Sequence, residues 1–167
     1  RSSDLYNAEF IESDIHHLPA ALHSRFDVAL ITIGVLNWMP DLGGFFRVIA
    51  GLLGPGGHLL VYETHPVMEM FDPESDTPHE PAISYFRTDP LKEEGLISYD
   101  GVDHGSGETG YWFIHTLGQI VTSCATAGMT ITSLKEFGYS IREPEYDVYE
   151  GREAQIPMSY LLHARKM

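Results

Sequence analysis

The sequence is poor in cysteine and in basic residues, and both shortages limit what the protein can do. Its one cysteine, Cys124, cannot form a disulfide within the chain. Ten lysines and arginines stand against 24 aspartates and glutamates, which gives a formal net charge of −14. Such a chain repels nucleic-acid phosphates and anionic lipids, and it contains no continuous apolar run of the roughly eighteen residues that a bilayer-spanning helix needs. We expect a cytoplasmic protein that binds neither nucleic acid nor membrane.

The composition is that of a packed domain. The chain has 167 residues, of which 43% are hydrophobic and 11% aromatic, and a domain of this length buries about two-thirds of its unfolded surface. We predict one domain over residues 1–167, with residues 66–110 as an inserted lid or substrate segment, because that stretch is too long and irregular for core. Within it, residues 83–88 and 95–99 are predicted to form a hairpin.

A strand, a helix and a second strand follow one another between residues 26 and 64. Residues 26–34 (FDVALITIG) are almost all apolar, which is typical of a strand covered on both faces. Asp41 is a good N-cap for a helix with one apolar face, and residues 54–57 (GPGG) end that helix. Residues 58–64 (HLLVYET) read as a second buried strand. This βαβ unit predicts parallel strands whose carboxyl ends open on a ligand site.

Four further elements complete the predicted order. Residues 8–15 alternate weakly and suggest a short strand. Residues 116–127 form an amphipathic helix with Cys124 on its apolar face, and residues 129–137 and 156–165 are predicted closing strands.

These segments, in this order, carry a family resemblance. FDVALITIGVLNWMPDL, PGGHLLVYETHPV, YWFIHTLGQIVTSCATAGM and IPMSYLLHARK resemble the later part of the small-molecule class I S-adenosylmethionine-dependent methyltransferases. The resemblance implies an α/β fold, namely a Rossmann-like, mostly parallel sheet in a three-layer αβα arrangement with an antiparallel C-terminal strand. The family's first strands and glycine-rich cofactor turn are not in these residues, and we expect them upstream of Arg1.

The resemblance also implies a cofactor, S-adenosylmethionine, with S-adenosylhomocysteine as the product. Asp14 and Ile15 match the position that reads adenine, although a solvated acid at a strand end is the simpler role for Asp14. The turn after the first buried strand matches the segment that touches the amino-acid end of the cofactor, and Trp38 is placed to face the sulfonium through its ring. Simple turn formation and simple packing are the alternatives there. The predicted cofactor-binding residues are Asp14, Ile15, Ile33, Gly34, Val35 and Trp38.

The predicted acceptor site lies at the same edge of the sheet. His115 and His65 are the candidate catalytic residues, and for each a purely structural role is the alternative, because methyl transfer depends chiefly on positioning and requires no base. The nine histidines form no metal-ligand motif, so no metal is predicted. The predicted substrate-binding residues are Trp38, His65, Tyr111, Trp112 and His115.

Three functions are compatible with the sequence. The first is methyl transfer to a small-molecule acceptor. The second is a cofactor-free fragment that forms a homo-oligomer, because the strand at 26–34 would present an unpaired apolar edge without the family's first strand. The third is a nicotinamide-dependent oxidoreductase, which shares the sheet but not the closing helix and antiparallel strand.

Overall fold

The computed structural model describes residues 8–94 and 109–167. Its described helices and strands are, in chain order, β1 (Phe26–Ile31), α1 (Leu42–Leu52), β2 (Leu53–Thr64), β3 (Leu91–Glu94), β4 (Thr109–Trp112), α2 (Leu117–Thr126), β5 (Met129–Phe137) and β6 (Ser159–Lys166), with short 3₁₀ turns between them. Four strands form one sheet in the order β1-β2-β6-β5, and β3 and β4 form a separate antiparallel pair.

The predicted βαβ unit is confirmed. β1 and β2 run parallel, with Leu30 opposite Leu60 and Ile31 opposite Val61. α1 begins after Asp41, whose carboxylate accepts a hydrogen bond from the Gly44 N–H at 2.9 Å, as an N-cap should. The two strands therefore end at the same edge of the sheet, where the sequence placed a ligand site.

The antiparallel closing strand is also confirmed. β6 lies between β2 and β5 and is antiparallel to both. β5 has the predicted bounds, whereas β6 begins at Ser159 and not at residue 156. The order places the two strands of the βαβ unit on one side of the sheet and the two closing strands on the other.

The main core lies between the sheet and the two helices, which pack together on one face. It contains fully buried Phe46, Leu59 and Cys124. Burying a side chain as large as Phe46 stabilises the fold by roughly 1.5–3 kcal/mol relative to leaving it exposed. The described residues thus form the sheet and one helical layer of the αβα arrangement.

The prediction that β1 is covered on both faces is wrong. Ala29 and Ile31 face the core, but Val28 and Leu30 are 54% and 62% exposed. In the described residues β1 pairs with β2 alone, and no helix lies over the outer face of the sheet. An apolar composition indicates a buried strand, but it does not say which neighbours bury it.

Two other local predictions are wrong. Residues 8–15 contain no strand, and Ile15 begins a 3₁₀ turn, because no strand in the described residues lies beside this segment to pair with it. Residues 83–88 also form no strand, and residues 95–99 lie outside the described residues. The pairing in this region joins β3 to β4 instead.

The first part of the inserted segment is attached to the end of the chain by a second, smaller core. Met68 is buried there against Tyr149 and Met158. The Tyr149 hydroxyl donates a hydrogen bond to the Pro78 carbonyl at 2.8 Å. Residues that follow β2 are therefore held against residues that follow β5. None of the described helices is long and apolar enough to cross a membrane.

Candidate functional site

A cavity of about 770 Å³ opens where β1 and β2 end. Ile33 and Gly34 follow β1, and Thr64 ends β2. The opposite wall comes from the 3₁₀ turn after β2 and from the loop after β5. The location beyond the carboxyl ends of parallel strands is the usual place for a ligand in an open α/β sheet. The other lining residues include Asn37, Trp38, Glu69, Phe71, Trp112, Arg142 and Tyr146.

A buried carboxylate fixes the turn after β1. Glu63 is only 2% exposed, and its two oxygens accept hydrogen bonds from the backbone N–H groups of Gly34 at 2.7 Å and Leu36 at 3.2 Å. Burial raises the pKa of Glu63, and these backbone donors oppose the rise because they favour the charged form. Glu63 therefore sets the backbone that forms the floor of the cavity.

Two tryptophans form one wall of the cavity. The rings of Trp38 and Trp112 meet edge to face with centroids 5.4 Å apart. Gly34 has φ +84°, a conformation that side-chain-bearing residues rarely adopt, and the position of a Cβ there would lie 3.6 Å from Trp112. Two hydrogen bonds join Phe113 to Asn37 within this wall. The Phe113 N–H donates to the Asn37 carbonyl at 2.8 Å, and the Asn37 side-chain amide donates to the Phe113 carbonyl at 3.0 Å.

Glu69 and Arg142 join the tryptophan wall to the opposite wall. The Trp112 indole N–H donates to Glu69 Oε2 at 2.9 Å, and Arg142 Nη1 lies 3.2 Å from Glu69 Oε1. The Arg142 guanidinium also lies over the ring of Tyr146, 4.2 Å from its centroid. Burial raises the pKa of Tyr146 to about 12, so its hydroxyl is neutral at physiological pH. One acidic and one basic side chain thus link three separate segments.

His115 lies beside the main cavity and lines a small pocket of about 10 Å³, close to the space that one water molecule needs. Its Nε2 donates to the Met39 carbonyl at 2.8 Å, which leaves Nδ1 as the nitrogen with a lone pair. Burial lowers the pKa of His115, against the effect of its backbone acceptors. The imidazole is therefore neutral near pH 7.

The structure brings four of the predicted site residues together in the cavity wall, and these are Ile33, Gly34, Trp38 and Trp112. Val35 packs against the main core, and Tyr111 is exposed on β4. His65 is buried away from the cavity, where Nδ1 accepts from the Val67 N–H at 3.2 Å and Nε2 lies 2.9 Å from Glu136 Oε1. This placement favours the structural role for His65.

Asp14 and Ile15 do not line the cavity. Asp14 caps its own 3₁₀ turn by accepting from the His16 N–H at 2.9 Å, and its other oxygen lies 2.6 Å from His17 Nδ1. These contacts lower the pKa of Asp14. Ile15 packs against the main core. The role of Asp14 in adenine recognition stays a prediction.

Sequence reasoning missed Glu63, Asn37, Glu69, Arg142 and Tyr146. Glu63 carried a usable signal, because an acidic residue in the otherwise apolar run HLLVYET needs partners once it is buried. Asn37, Glu69 and Arg142 carry none, since the partners that place them lie 43 to 76 residues away in the chain, and Tyr146 joins the site through Arg142. Within the described ranges 8–94 and 109–167, no group of three or more histidine, cysteine, aspartate or glutamate residues is arranged to hold a metal ion.

The comparisons with known proteins agree with this architecture. Residues 1–61 match the family model described as Methyltransferase domain. A candidate S-adenosylmethionine-dependent methyltransferase from Listeria monocytogenes has a similar structure, with a TM-score of 0.65 at 18% identity over 93% of this chain and 67% of its own. An S-adenosylmethionine-dependent methyltransferase from Mesorhizobium loti gives 0.56 at 21% identity, over 92% of this chain and 67% of its own. The comparison with curated protein sequences finds no match.

A third similar structure is that of geranyl diphosphate C-methyltransferase from Streptomyces coelicolor A3(2), in complex with Mg²⁺, geranyl diphosphate and S-adenosyl-L-homocysteine. Its TM-score is 0.54 at 9% identity, over 93% of this chain and 52% of its own. The chain therefore has the class I S-adenosylmethionine-dependent methyltransferase fold, which confirms the resemblance and the predicted fold class. S-adenosylmethionine is the cofactor of that class. The chain spans about two-thirds of the length of the first two of these structures and about half of the third.

Proposed function

We propose that the protein takes part in the transfer of a methyl group from S-adenosylmethionine to a small-molecule acceptor that binds in the cavity. The observation that carries this proposal is the cavity itself, which lies at the carboxyl ends of the parallel pair β1 and β2 in a methyltransferase fold. Its aromatic lining suits a compact ligand. The strongly acidic chain gives a polyanionic acceptor such as nucleic acid little attraction.

The residues at the β1 turn fit one end of the cofactor. The backbone at Gly34 is open to a ligand because glycine has no Cβ, and Glu63 holds that backbone in place. The Trp38 ring provides a flat, electron-rich face, which attracts a sulfonium. When bound, the cofactor supplies an electrophilic methyl group. We propose that Ile33, Gly34 and Trp38 form its wall in this chain.

The role of His115 follows from its protonation state. A neutral imidazole with a free Nδ1 lone pair is able to accept a proton from an acceptor hydroxyl or amine. Its small pocket shares Asn37, Thr64 and Glu69 with the main cavity, so His115 lies next to the space in which we place the acceptor. We propose His115 as the proton acceptor where the chemistry needs one.

Calorimetry with S-adenosylhomocysteine and NADH tests the proposal. We expect S-adenosylhomocysteine to bind and NADH to give no heat. Trp38→Ala should weaken the binding of S-adenosylhomocysteine, whereas Tyr139→Ala, at an exposed position outside the cavity, should leave it unchanged. Binding of NADH alone would favour a reductase, and the absence of binding by either ligand would overturn the proposal in favour of a cofactor-free module.

A second candidate, self-association, has its own observation. β1 is an edge strand, and Phe26, Val28 and Leu30 are exposed along it. An unpaired apolar edge is a template for pairing with another chain. Light scattering over a range of concentrations tests this, and a monodisperse monomer counts against it. Replacing Leu30 with lysine should reduce any association, because a charged edge resists pairing.

Two further predictions accompany the proposal. We propose that residues 66–110 cover the acceptor, since part of this segment already lines the cavity through Glu69, Phe71 and Leu91. A cytoplasmic location also stays a prediction, based on the low cysteine content. Fractionation of cells that express the protein tests the location.

A further inference from the structure

The acceptor side of the cavity combines aromatic walls with a cation that is already paired. Trp112, Phe71 and Tyr146 line it together with aliphatic Ile83 and Ile141. Flat rings stack well against such walls, because aromatic pairs are favourable beyond the apolar area that they bury. The shape and chemistry of the wall therefore favour a planar acceptor.

Arg142 is the one basic residue among the described residues that line this cavity, and its guanidinium lies among acidic and aromatic partners, including the Trp112 ring, whose centroid is 5.8 Å away. Nη1 lies 3.2 Å from Glu69 Oε1, Nε lies 3.3 Å from Glu143 Oε2, and the guanidinium stacks on Tyr146. Glu69 is held in turn by the Trp112 indole N–H. An anionic ligand would therefore compete with two carboxylates for Arg142.

The balance of charge points the same way. The described lining contains three carboxylates, those of Glu69, Asp72 and Glu143, against the single guanidinium of Arg142. Placing an anionic ligand beside these carboxylates is unfavourable, because like charges in one binding site repel each other. A cationic or neutral ligand avoids that cost.

We propose that the acceptor is a planar aromatic molecule that is neutral or cationic, and that Glu69 is a specificity-determining residue that excludes anionic acceptors. This inference rests on the proposed function, since it assigns the acceptor of the same site. Glu69 acts in two ways: it supplies negative charge, and it occupies Arg142.

Intrinsic fluorescence gives a direct test, because the chain has only two tryptophans and both line the cavity. Three probes share a phenylethyl group and differ in the head group attached to it, namely 2-phenylethylamine (cationic), 2-phenylethanol (neutral) and 3-phenylpropanoate (anionic). With excitation at the red edge of tryptophan absorption, the probes themselves do not emit. We expect the amine and the alcohol to alter the emission at concentrations at least about tenfold lower than the carboxylate.

The variant Glu69→Gln should reduce the preference for the amine and the alcohol over the carboxylate. Loss of the negative charge and release of Arg142 should strengthen the binding of 3-phenylpropanoate. The difference between the carboxylate and the other two probes in the concentration needed should then shrink to about threefold or less. The matched control is Glu145→Gln, an exposed acid near Arg142 in the chain that does not line the cavity, and it should keep the full gap. If Glu69→Gln does not fold by circular dichroism, Glu143→Gln removes the other carboxylate from Arg142 and should narrow the gap in the same direction.

Two results would overturn the inference. One is equal or stronger binding of 3-phenylpropanoate by the unaltered protein, and the other is an unchanged preference in a folded Glu69 or Glu143 variant. S-adenosylhomocysteine calorimetry on the same samples separates the two proposals. Cofactor binding without charge preference refutes this inference alone, whereas loss of cofactor binding refutes the proposed function.

Discussion

Replacing Glu63 with glutamine removes one of the two acceptor oxygens that fix the cavity floor while keeping the side-chain size. The carboxylate uses one oxygen for the Gly34 N–H and the other for the Leu36 N–H, and glutamine has only one oxygen to offer. One hydrogen bond is lost, and its buried donor faces an amide NH₂. Such a loss costs about 1–3 kcal/mol, which lowers Tm by roughly 2–12 °C for a chain of this length.

The pH dependence of this effect has a defined sign. Burial raises the pKa of Glu63, so the folded protein holds that proton more tightly than the unfolded chain. The contribution of Glu63 to stability is therefore greatest below its unfolded pKa and falls as pH rises toward the folded pKa. Glutamine does not titrate. The advantage of the unaltered protein over Glu63→Gln should accordingly be largest near about pH 4 and smaller at about pH 7.5.

Thermal melts followed by circular dichroism at both pH values provide the measurement. Glu153→Gln, which changes an exposed acid, is the matched control and should leave Tm within about 1 °C of the unaltered protein. An unchanged Tm for Glu63→Gln would show that the two backbone bonds contribute nothing net. An advantage that grows with pH would show that hydrogen bonding, and not burial, dominates the titration of this carboxyl.

Three other predictions follow from buried groups. Phe46→Ala should lower the free energy of unfolding by about 3–5 kcal/mol in urea titrations because it empties the main core, whereas Phe10→Ala, at an exposed site, should change it little. Burial lowers the pKa of His65, against the opposing effect of Glu136, so the stability of the folded protein should fall as pH drops below about 6.5. In thermal melts, the Tm of His65→Gln should fall less between pH 7.5 and 5.5 than the Tm of the unaltered protein. Burial raises the pKa of the Cys124 thiol to about 11, so iodoacetamide should modify it only when the protein is unfolded, and fast labelling of the folded protein would contradict its placement.

The elements that the sequence predicted well are those with local signals. The Asp41 cap and the one-faced apolar repeat after it define α1, and the repeat of apolar and polar residues defines β5. The parallel pairing of β1 with β2 then follows from the connection between them, because a helix crossover joins parallel strands. Local chemistry and connectivity together gave the part of the sheet that positions the cavity.

The failures are those that depend on neighbours. Residues 8–15 have strand-like composition, but a strand forms only beside a partner, and none lies beside them in the described residues. Val28 and Leu30 are apolar yet exposed for a related reason, since nothing in the described ranges covers that face of the sheet. The sequence pattern indicates the tendency of a segment to form a strand, whereas its burial depends on which other elements pack against it.

The candidate site shows the same division. Gly34 and Trp38 were predicted because they follow a strand end, which is a local signal, and both line the cavity. Arg142 was not predicted, because only the folded chain brings it to Glu69, 73 residues away in sequence. The sequence pattern therefore could not predict the charged pair Glu69 and Arg142.

That separation has a kinetic consequence. The bonds between Glu69 and Arg142 and between Asn37 and Phe113 close loops of 73 and 76 residues, and long loops close late because their entropy must be lost first. These long-range contacts should also be among the first parts to open, while the sheet stays intact. A molecule that bridges both walls would slow that opening, so amide hydrogen exchange at Phe113 should report occupancy even when the overall melting temperature barely moves.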